Sequence, residues 1–284
     1  MRDIVMVVGS GMMGSGIGAM SALAGNKTVL VDTSAERAEN GRKKAIECIR
    51  LREENELNTH EEAEKAIELL STSDDSIKTA ENARLVIEAI IENVEAKQNL
   101  FAQLDAVLPV EVPICSNTSG LRITDISAKC VHPERTVTTH FWLPAHLVPL
   151  VEVVMGDKTD EAVAVAVRDE LRKWKKAPVL VKRDLPGQLA NRVFQAIIRE
   201  SIDIVASGLA SAEDVDTAIS CGMAMRFPGL GPAEASGRHR PEPGPLRAGD
   251  RAAQHLRRRD PPTPYIKELG GEGRPGCQDR QWLL

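Results

Sequence analysis

The chain has 284 residues, of which 42% are hydrophobic, and is long enough to form two globular domains. A formal net charge of −5 gives no reason to expect a nucleic-acid partner, and no apolar run approaches the roughly 20 residues of a membrane-spanning helix, so no membrane partner is expected. The five cysteines are scattered without CxxC or metal-type spacing, which predicts a reducing compartment with neither disulfides nor a bound metal.

The first predicted elements are a strand and a helix joined by a glycine-rich turn. Ile4 to Val8 is a β-branched run typical of a buried parallel strand, and Ser15 to Leu23 is predicted to be a helix. The turn has the pattern GxGxxG, in which each glycine has a separate role. Gly9 permits the tight turn, Gly11 lets a pyrophosphate approach the backbone, and Gly14 lets the helix pack closely on the strand. The pattern therefore predicts a dinucleotide site.

A second predicted strand, from Thr28 to Val31, ends in an acidic residue. Asp32 stands 23 positions after Gly9, where a carboxylate can bind the ribose hydroxyls of a dinucleotide. A carboxylate at this position repels a 2′-phosphate, so NAD is favoured over NADP. We expect NAD to bind here, with Met12 and Met13 among its contacts. The competing interpretation is a glycine turn followed by a surface aspartate.

The rest of the chain alternates strands and helices, as a doubly wound, mostly parallel α/β sheet requires. Residues 34–70 are charged and are predicted to form a hairpin of two helices broken near Asn58. Further strands are predicted at 85–89, 112–116, 136–141, 150–155 and 178–181, and further helices at 95–108, 160–175 and 188–207. The segment 183–187 marks the expected boundary between a domain of residues 1–183 and a smaller all-α domain of residues 184–284.

Several motifs resemble, in order and spacing, those of the L-3-hydroxyacyl-CoA dehydrogenase family, in a superfamily that also holds L-carnitine and L-gulonate dehydrogenases. The motifs are GSGMMGSGIG at 9–18 with Asp32, VIEAIIENVEAK at 86–97, SNTSG at 116–120, HFWLP through LVEV at 140–153, and DLPGQLANR at 184–192. The resemblance extends from about residue 3 to Pro232. It implies a Rossmann-like NAD-binding domain followed by a helical domain, and an NAD-dependent oxidoreductase of fatty acid metabolism.

The same resemblance implies a small-molecule substrate and a homodimer, provided that the C-terminal domain folds. The first strand begins at Asp3 or Ile4, which leaves no room for a signal or transit peptide, so a cytoplasmic location is expected.

The resemblance also implies catalytic roles for four residues. His140 is expected to be the general base that takes the hydroxyl proton, and Glu152 to hydrogen-bond the other ring nitrogen and fix the tautomer. Ser119 and Asn191 match positions that hydrogen-bond the reacting oxygen and the surroundings of the histidine. Without the resemblance, the four residues would be interpreted as a core histidine, an outward-facing strand carboxylate, a turn serine and a helix cap.

Three more residues match positions near the nicotinamide. Glu92 and Lys97 correspond to residues that line the nicotinamide-ribose side of the cofactor cleft, although they are equally compatible with a solvated pair on a helix face. Asn117 lies at the carboxyl end of a predicted strand, where α/β sheets bind ligands, and is expected to contact the nicotinamide.

Departures from the family pattern bear on the substrate. Leu143 stands three residues after the histidine, where the acyl-CoA enzymes usually have Asn, and His146 is either a substrate-selective or a turn residue. Residues 34–70 carry ten acidic and seven basic side chains, whereas the corresponding CoA-contacting hairpin tends to be basic. The leading prediction is oxidation of a 3-hydroxyacyl-CoA. The alternatives are a dehydrogenase of a small free acid (carnitine-, gulonate- or 3-hydroxybutyrate-like) and an inactive, crystallin-like NAD-binding protein.

The segment 233–261 has no helical or strand period and is rich in proline, glycine and arginine. One interpretation is a shifted reading frame, with a second shift after Gly276. The other is a genuine basic, disordered tail that binds an acidic partner. Both put the folding of residues 233–284, and with it dimerisation, in question.

Overall fold

The structure is a computed structural model that describes residues 2–229 and residue 231. Both interpretations of the tail concern residues outside this range. The chain divides into two compact units, Met1–Leu189 and a second unit that begins at Ala190. Within the described residues, no helix is both long and apolar enough to cross a membrane. The same part of the chain contains no group of three or more His, Cys, Asp and Glu side chains that could hold a metal ion.

The first unit is built on one eight-stranded sheet with the order β3-β2-β1-β4-β5-β6-β7-β8. The strands are β1 (Ile4–Val8), β2 (Lys27–Val31), β3 (Leu70–Ser73), β4 (Ala83–Glu88), β5 (Ile114–Ser116), β6 (Thr136–Phe141), β7 (Leu150–Met155) and β8 (Ala177–Val181). Among the described strands, only β6 and β7 pair antiparallel, and the other neighbours are parallel. The expected Rossmann-like, mostly parallel sheet is confirmed.

Helices connect the strands and continue into the second unit. They are α1 (Met12–Leu23), α2 (Ala35–Glu54), α3 (His60–Glu68), α4 (Ser76–Ala80), α5 (Val94–Val107), α6 (Ile123–Ile126), α7 (Glu161–Lys173), α8 (Ala190–Ala206) and α9 (Ala212–Ala218). A π-helical turn (Ile219–Met223) and 3-10 turns (Ser127–Lys129, Pro133–Arg135, Ala224–Arg226) complete the regular structure. The described part of the second unit is helical, as expected for an all-α domain.

Two apolar layers bury the two faces of the sheet. Successive side chains of a strand point to opposite faces, and in β1 the side chains of Val5 and Val7 join one buried cluster while those of Met6 and Val8 join the other. Burial on both sides explains why the central strands are continuously apolar.

The region 34–70 differs from the sequence prediction at its end. The helical hairpin is present, and Thr59 begins α3 with a capping box in which its hydroxyl accepts from the Glu62 N–H and the Glu62 carboxylate accepts from the Thr59 N–H. Leu70, predicted to end the hairpin, instead begins β3, which pairs with β2 from Thr28 to Val31. Four residues with little apolar pattern carry a weak strand signal, so pairing with a formed neighbour determines this edge strand.

Candidate active site

The glycine turn after β1 is shaped to accept a pyrophosphate. Gly9 has φ +94°, a left-handed conformation suited to glycine. A Cβ on Gly14 would lie 1.8 Å from the Gly9 carbonyl oxygen, so the turn and α1 are in direct backbone contact. A Cβ on Gly11 would meet nothing within 4 Å, and no side chain caps α1. The start of α1 therefore has open space beside Gly11 and no side-chain cap, which leaves room for an anion at its N–H groups.

The two methionines of the turn differ in exposure. Met12, the first residue of α1, is 70% exposed. Met13 is partly buried and packs against the core. The Met12 side chain is therefore available to a cofactor at the turn, whereas the Met13 side chain is partly engaged in the core.

Asp32 follows β2 and is held by hydrogen bonds on both carboxylate oxygens. Oδ2 accepts from the backbone N–H of Ser10 at 2.9 Å and from its hydroxyl at 2.8 Å. Oδ1 accepts from the Thr33 N–H at 2.8 Å and from Arg37 Nε at 2.9 Å. Burial alone would raise the pKa of Asp32, but these hydrogen bonds and the Arg37 charge outweigh it and lower the pKa to about 2. An ionised carboxylate therefore stands beside the turn, as NAD binding requires.

His140 and Glu152 face each other across the antiparallel pair of strands. They are directly opposed in the β6–β7 register, so their side chains project from the same face of the sheet. His140 Nδ1 lies 2.6 Å from Glu152 Oε2, and both side chains are buried. His140 Nε2 lies 3.1 Å from the hydroxyl of Ser119. With Nδ1–H donating to the carboxylate, Nε2 of the neutral ring is the acceptor.

Lys97 is buried rather than solvated. Only 1% of its side chain is exposed, and Nζ lies 2.6 Å from Glu88 Oε1 and 3.3 Å from Glu92 Oε2. The alternative interpretation of Glu92 and Lys97 as a solvated pair is therefore wrong for Lys97. Its ammonium group links the carboxyl end of β4 to the segment that precedes α5.

Glu92 holds the loop that carries Ser119. Its Oε1 accepts from the Thr118 hydroxyl, from the Ser119 N–H at 3.2 Å and from the Gly120 N–H at 3.1 Å. Burial alone would raise the pKa of Glu92, but the Thr118 hydroxyl and the Lys97 charge lower it below its usual value. The ionised carboxylate can thus anchor the turn from which Ser119 reaches His140.

Glu88 belongs to the same network and was missed in the sequence. It is the last residue of β4, is fully buried, and accepts from Lys97, from the Ser116 hydroxyl at 2.6 Å and from the Ile90 N–H at 2.6 Å. The sequence did contain a signal for this residue: a carboxylate ends an otherwise apolar strand at its carboxyl end, where ligand sites lie in α/β sheets.

Asn117 and Asn191 lie in different units. Asn117 Oδ1 accepts from the Phe141 N–H at 2.8 Å, which ties the end of β5 to the end of β6 and leaves the Asn117 amide N–H groups for a ligand. Asn191 is the second residue of α8 in the second unit, inside the helix rather than at its cap. The first unit therefore brings together three of the four predicted catalytic residues.

A cavity of about 750 Å³ lies in the first unit beside the segment that follows His140. Helix α1 contributes Met12 and Ser15, and α2 contributes charged residues of both signs. Leu143, which departs from the family pattern, and His146, interpreted as either a substrate-selective or a turn residue, both line it. The charged residues of α2 in its lining are Lys44, Glu47, Arg50 and Glu54.

Two cations hold the segment between β6 and β7. Arg52 Nη1 donates to the His146 carbonyl at 2.7 Å, and Lys176 Nζ donates to the carbonyls of Ala145 and, at 2.9 Å, Val148. Burial, and then the nearby Arg52 charge, lower the pKa of Lys176 to about 8. Burial and the same two cations lower the pKa of His146, so His146 presents an uncharged ring at neutral pH.

Comparison with known proteins places both units in one family. The family model of the 3-hydroxyacyl-CoA dehydrogenase NAD-binding domain matches residues 4–185. The model of the 3-hydroxyacyl-CoA dehydrogenase C-terminal domain matches residues 187–270.

Individual relatives differ in the substrates that their names give. A probable 3-hydroxybutyryl-CoA dehydrogenase of Bacillus subtilis is 38% identical over 219 residues, covering 77% of the chain and 76% of that protein. The 5-formyl-3-hydroxy-2-methylpyridine 4-carboxylate 5-dehydrogenase of Mesorhizobium japonicum is 31% identical over 237 residues, covering 80% of the chain and 73% of that protein. A crystal structure of an enzyme of the latter activity, described as an NAD⁺-dependent dismutase, superposes with a TM-score of 0.77 at 28% identity, covering 95% of the chain and 86% of that structure.

Proposed function

This chain belongs to the 3-hydroxyacyl-CoA dehydrogenase family and is an NAD-dependent oxidoreductase acting on CH–OH, and we propose that it oxidises the L-3-hydroxyl of a 3-hydroxyacyl-CoA to the ketone. The observation that carries the proposal is the orientation of His140, with Glu152 at 2.6 Å from Nδ1 and the Ser119 hydroxyl at 3.1 Å from Nε2.

In the proposed mechanism, His140 is the general base. The C3 hydroxyl of the substrate hydrogen-bonds to Nε2, either in place of the Ser119 hydroxyl or together with it. Nε2 then takes the proton of the C3 hydroxyl. Bound NAD supplies the acceptor for the hydride that leaves C3. Glu152 stabilises the resulting imidazolium through the bond to Nδ1. Ser119 then donates its hydroxyl hydrogen to the developing carbonyl oxygen.

The residues around the glycine turn fit NAD. Gly11 leaves the backbone accessible at the start of α1, Gly9 and Gly14 allow the tight turn and the close contact of β1 with α1, and Asp32 offers an ionised carboxylate for ribose hydroxyls. In this proposal Asp32 exchanges part of its contact with Ser10 and Arg37 for the ribose. Glu92, Lys97 and Asn117 would border the nicotinamide side.

The cavity beside α2 supports an extended substrate. Its volume of about 750 Å³ is within the range of ligand pockets, and it adjoins the segment that follows His140. Two cations, Lys44 and Arg50, line the cavity. Arg50 is paired with Glu53 and Glu64. Lys44 is therefore the more available cation for a phosphate of CoA.

A small free hydroxy acid is the second candidate substrate. Leu143 and His146 give the cavity an uncharged wall near the base, and Glu47 and Glu54 offset its two cations. The relative named for a pyridine carboxylate is similar over 80% of the chain. These features suit a compact substrate without a nucleotide tail. An NAD-binding protein that lacks turnover is the third possibility, and the His140–Glu152 contact argues against it.

The test is NADH consumption with acetoacetyl-CoA and with free acetoacetate. We expect the wild type to prefer the thioester. We expect His140→Ala to reduce turnover by about 10²–10⁴-fold and to leave the Kd for NADH unchanged. His132→Ala is the matched control, because His132 forms an exposed pair with Glu134 at 3.0 Å. A preference for acetoacetate would favour the free-acid substrate, and normal turnover by His140→Ala would contradict the mechanism. NADH binding without turnover of either substrate would favour the inactive protein.

A further inference from the structure

Glu152 accepts a second side-chain hydrogen bond on the oxygen that contacts His140. The indole Nε1 of Trp142 donates to Glu152 Oε2 at 3.1 Å, while His140 Nδ1 lies 2.6 Å from the same atom. We propose that Trp142 is a positioning residue of the reaction, which fixes the rotamer of Glu152 and sets the basicity of the His140–Glu152 pair. The inference rests on the proposed function of that pair.

The strand register explains how Trp142 reaches this carboxylate. His140 and Glu152 are opposed in the β6–β7 ladder, and Trp142, one residue beyond β6, occupies the diagonal position on the same face. The diagonal neighbour is far enough away that only a long or aromatic side chain spans the gap. The indole and imidazole ring centroids are 6.0 Å apart with the planes inclined at 54°, so Trp142 packs beside His140 while it donates to Glu152.

The hydrogen bonds to Glu152 are distributed over both oxygens. Oε1 accepts from the Leu189 N–H at 2.7 Å, and Oε2 accepts from the imidazole and the indole. A buried carboxylate remains ionised when donors of this kind replace water. Removing the indole N–H takes one donor away from Oε2, so the carboxylate interacts more strongly with His140 Nδ1–H and the imidazolium persists to higher pH.

Other ionisable groups border this cluster from neighbouring elements. Glu92 holds the backbone of Ser119, and Lys176 Nζ lies 6.0 Å from the ring of Phe141, which projects from the opposite face of β6. Arg52 donates to the His146 carbonyl in the segment after β6. None of these contacts includes the Trp142 side chain, so a change at Trp142 leaves them in place.

The first test is the pH profile of kcat/KM for oxidation of 3-hydroxybutyryl-CoA by the wild type and by Trp142→Phe. Loss of a hydrogen bond to the pair is expected to move the acid limb of the profile to higher pH by about 0.5–1 unit. The Kd for NADH should stay within about twofold of the wild type. An acid limb at the wild-type position would overturn the inference.

Trp174→Phe is the matched control for this test. Trp174 in the first unit also donates from Nε1 to a carboxylate, Oε1 of Glu170, at 3.2 Å. Removing that bond is expected to leave the acid limb unchanged even if the protein is less stable. Replacing Trp142 by benzothienylalanine, in which sulfur takes the place of the N–H, repeats the test at constant ring size.

A measurement without substrate separates this inference from the proposed function. The ultraviolet resonance Raman difference between the wild type and Trp142→Phe isolates the indole band that reports hydrogen bonding of the Trp142 N–H. In the wild type we expect the band of a hydrogen-bonded indole. In Glu152→Gln we expect the band to shift toward that of a more weakly hydrogen-bonded indole. A free indole N–H in the wild type would overturn the inference. Absence of wild-type turnover with every substrate would instead contradict the proposed function, while the band still reports the contact.

Discussion

Lys97 and Glu88 form a buried ion pair whose two side chains are 1% and 0% exposed. Removing one partner of such a pair leaves an uncompensated charge, which costs about 3–5 kcal/mol. We therefore expect Lys97→Met to lower the free energy of unfolding by this amount, measured by urea denaturation at neutral pH.

The control for this prediction is an exposed pair of the same chemistry. Lys65 lies 2.7 Å from Glu61 on α3, and the two side chains are 70% and 78% exposed. Lys65→Met is expected to change the free energy of unfolding by about 0.5 kcal/mol or less. Equal effects of the two substitutions would show that the buried pair contributes no more than a surface pair.

Single residues show how far the sequence could be interpreted. The resemblance to the family predicted that His140 and Glu152 would contact each other, and the strand register brings them together. The burial of Lys97 was not predictable from its charged, helical surroundings, because burial depends on how α5 packs on the sheet. The Trp142 bond to Glu152 depends on a diagonal relation between strands that sequence spacing does not reveal.

Two glycines of the turn between β1 and α1, Gly11 and Gly14, have opposite surroundings. A Cβ on Gly14 would lie 1.8 Å from a backbone oxygen, whereas one on Gly11 would meet nothing within 4 Å. We expect Gly14→Ala to lower the free energy of unfolding by about 1–3 kcal/mol or more, because the backbone itself must move. Thermal denaturation measures this loss.

Gly11→Ala is expected to behave in the opposite way. The protein should keep its melting temperature, since the methyl group enters open space. That space is where a pyrophosphate would approach, so NADH binding should weaken by about tenfold, or 1.4 kcal/mol. Unchanged NADH affinity in Gly11→Ala would contradict the proposed cofactor position.

Elements with a strong periodic or apolar pattern were predictable, and marginal ones were not. β1 follows from its apolar run, and the hairpin of α2 and α3 was predicted as a charged helical region broken near Asn58. β3 has four residues and depends on its neighbour in the sheet, so local sequence could not separate it from the end of a helix.

At the scale of the whole molecule, the family, the fold and the use of NAD are confirmed by the matches to both family models. The domain boundary at 183/184, the cytoplasmic location and the homodimer stay predictions. Apolar exposure supports the homodimer: on α8, Val193 is 50% and Phe194 54% exposed. A dimer interface on α8 would cover these two side chains.

We expect the full chain to sediment as a dimer at micromolar concentration and Phe194→Ser to weaken the dimer by at least about 30-fold, the effect of losing an aromatic anchor. Val131→Ser is the control, because Val131 is 80% exposed in the first unit. A wild-type monomer, or equal effects of the two substitutions, would contradict an interface on α8.

The register between β6 and β7 has a consequence for the evolution of this chain. The ladder pairs Phe141 with Val151 and His140 with Glu152, so it holds the proposed base and its partner in register independently of the connecting residues 143–149. Leu143 and His146 in that segment line the cavity. In the proposed mechanism, substitutions at Leu143 and His146 would therefore alter the substrate range while the register of the His140–Glu152 pair stays unchanged.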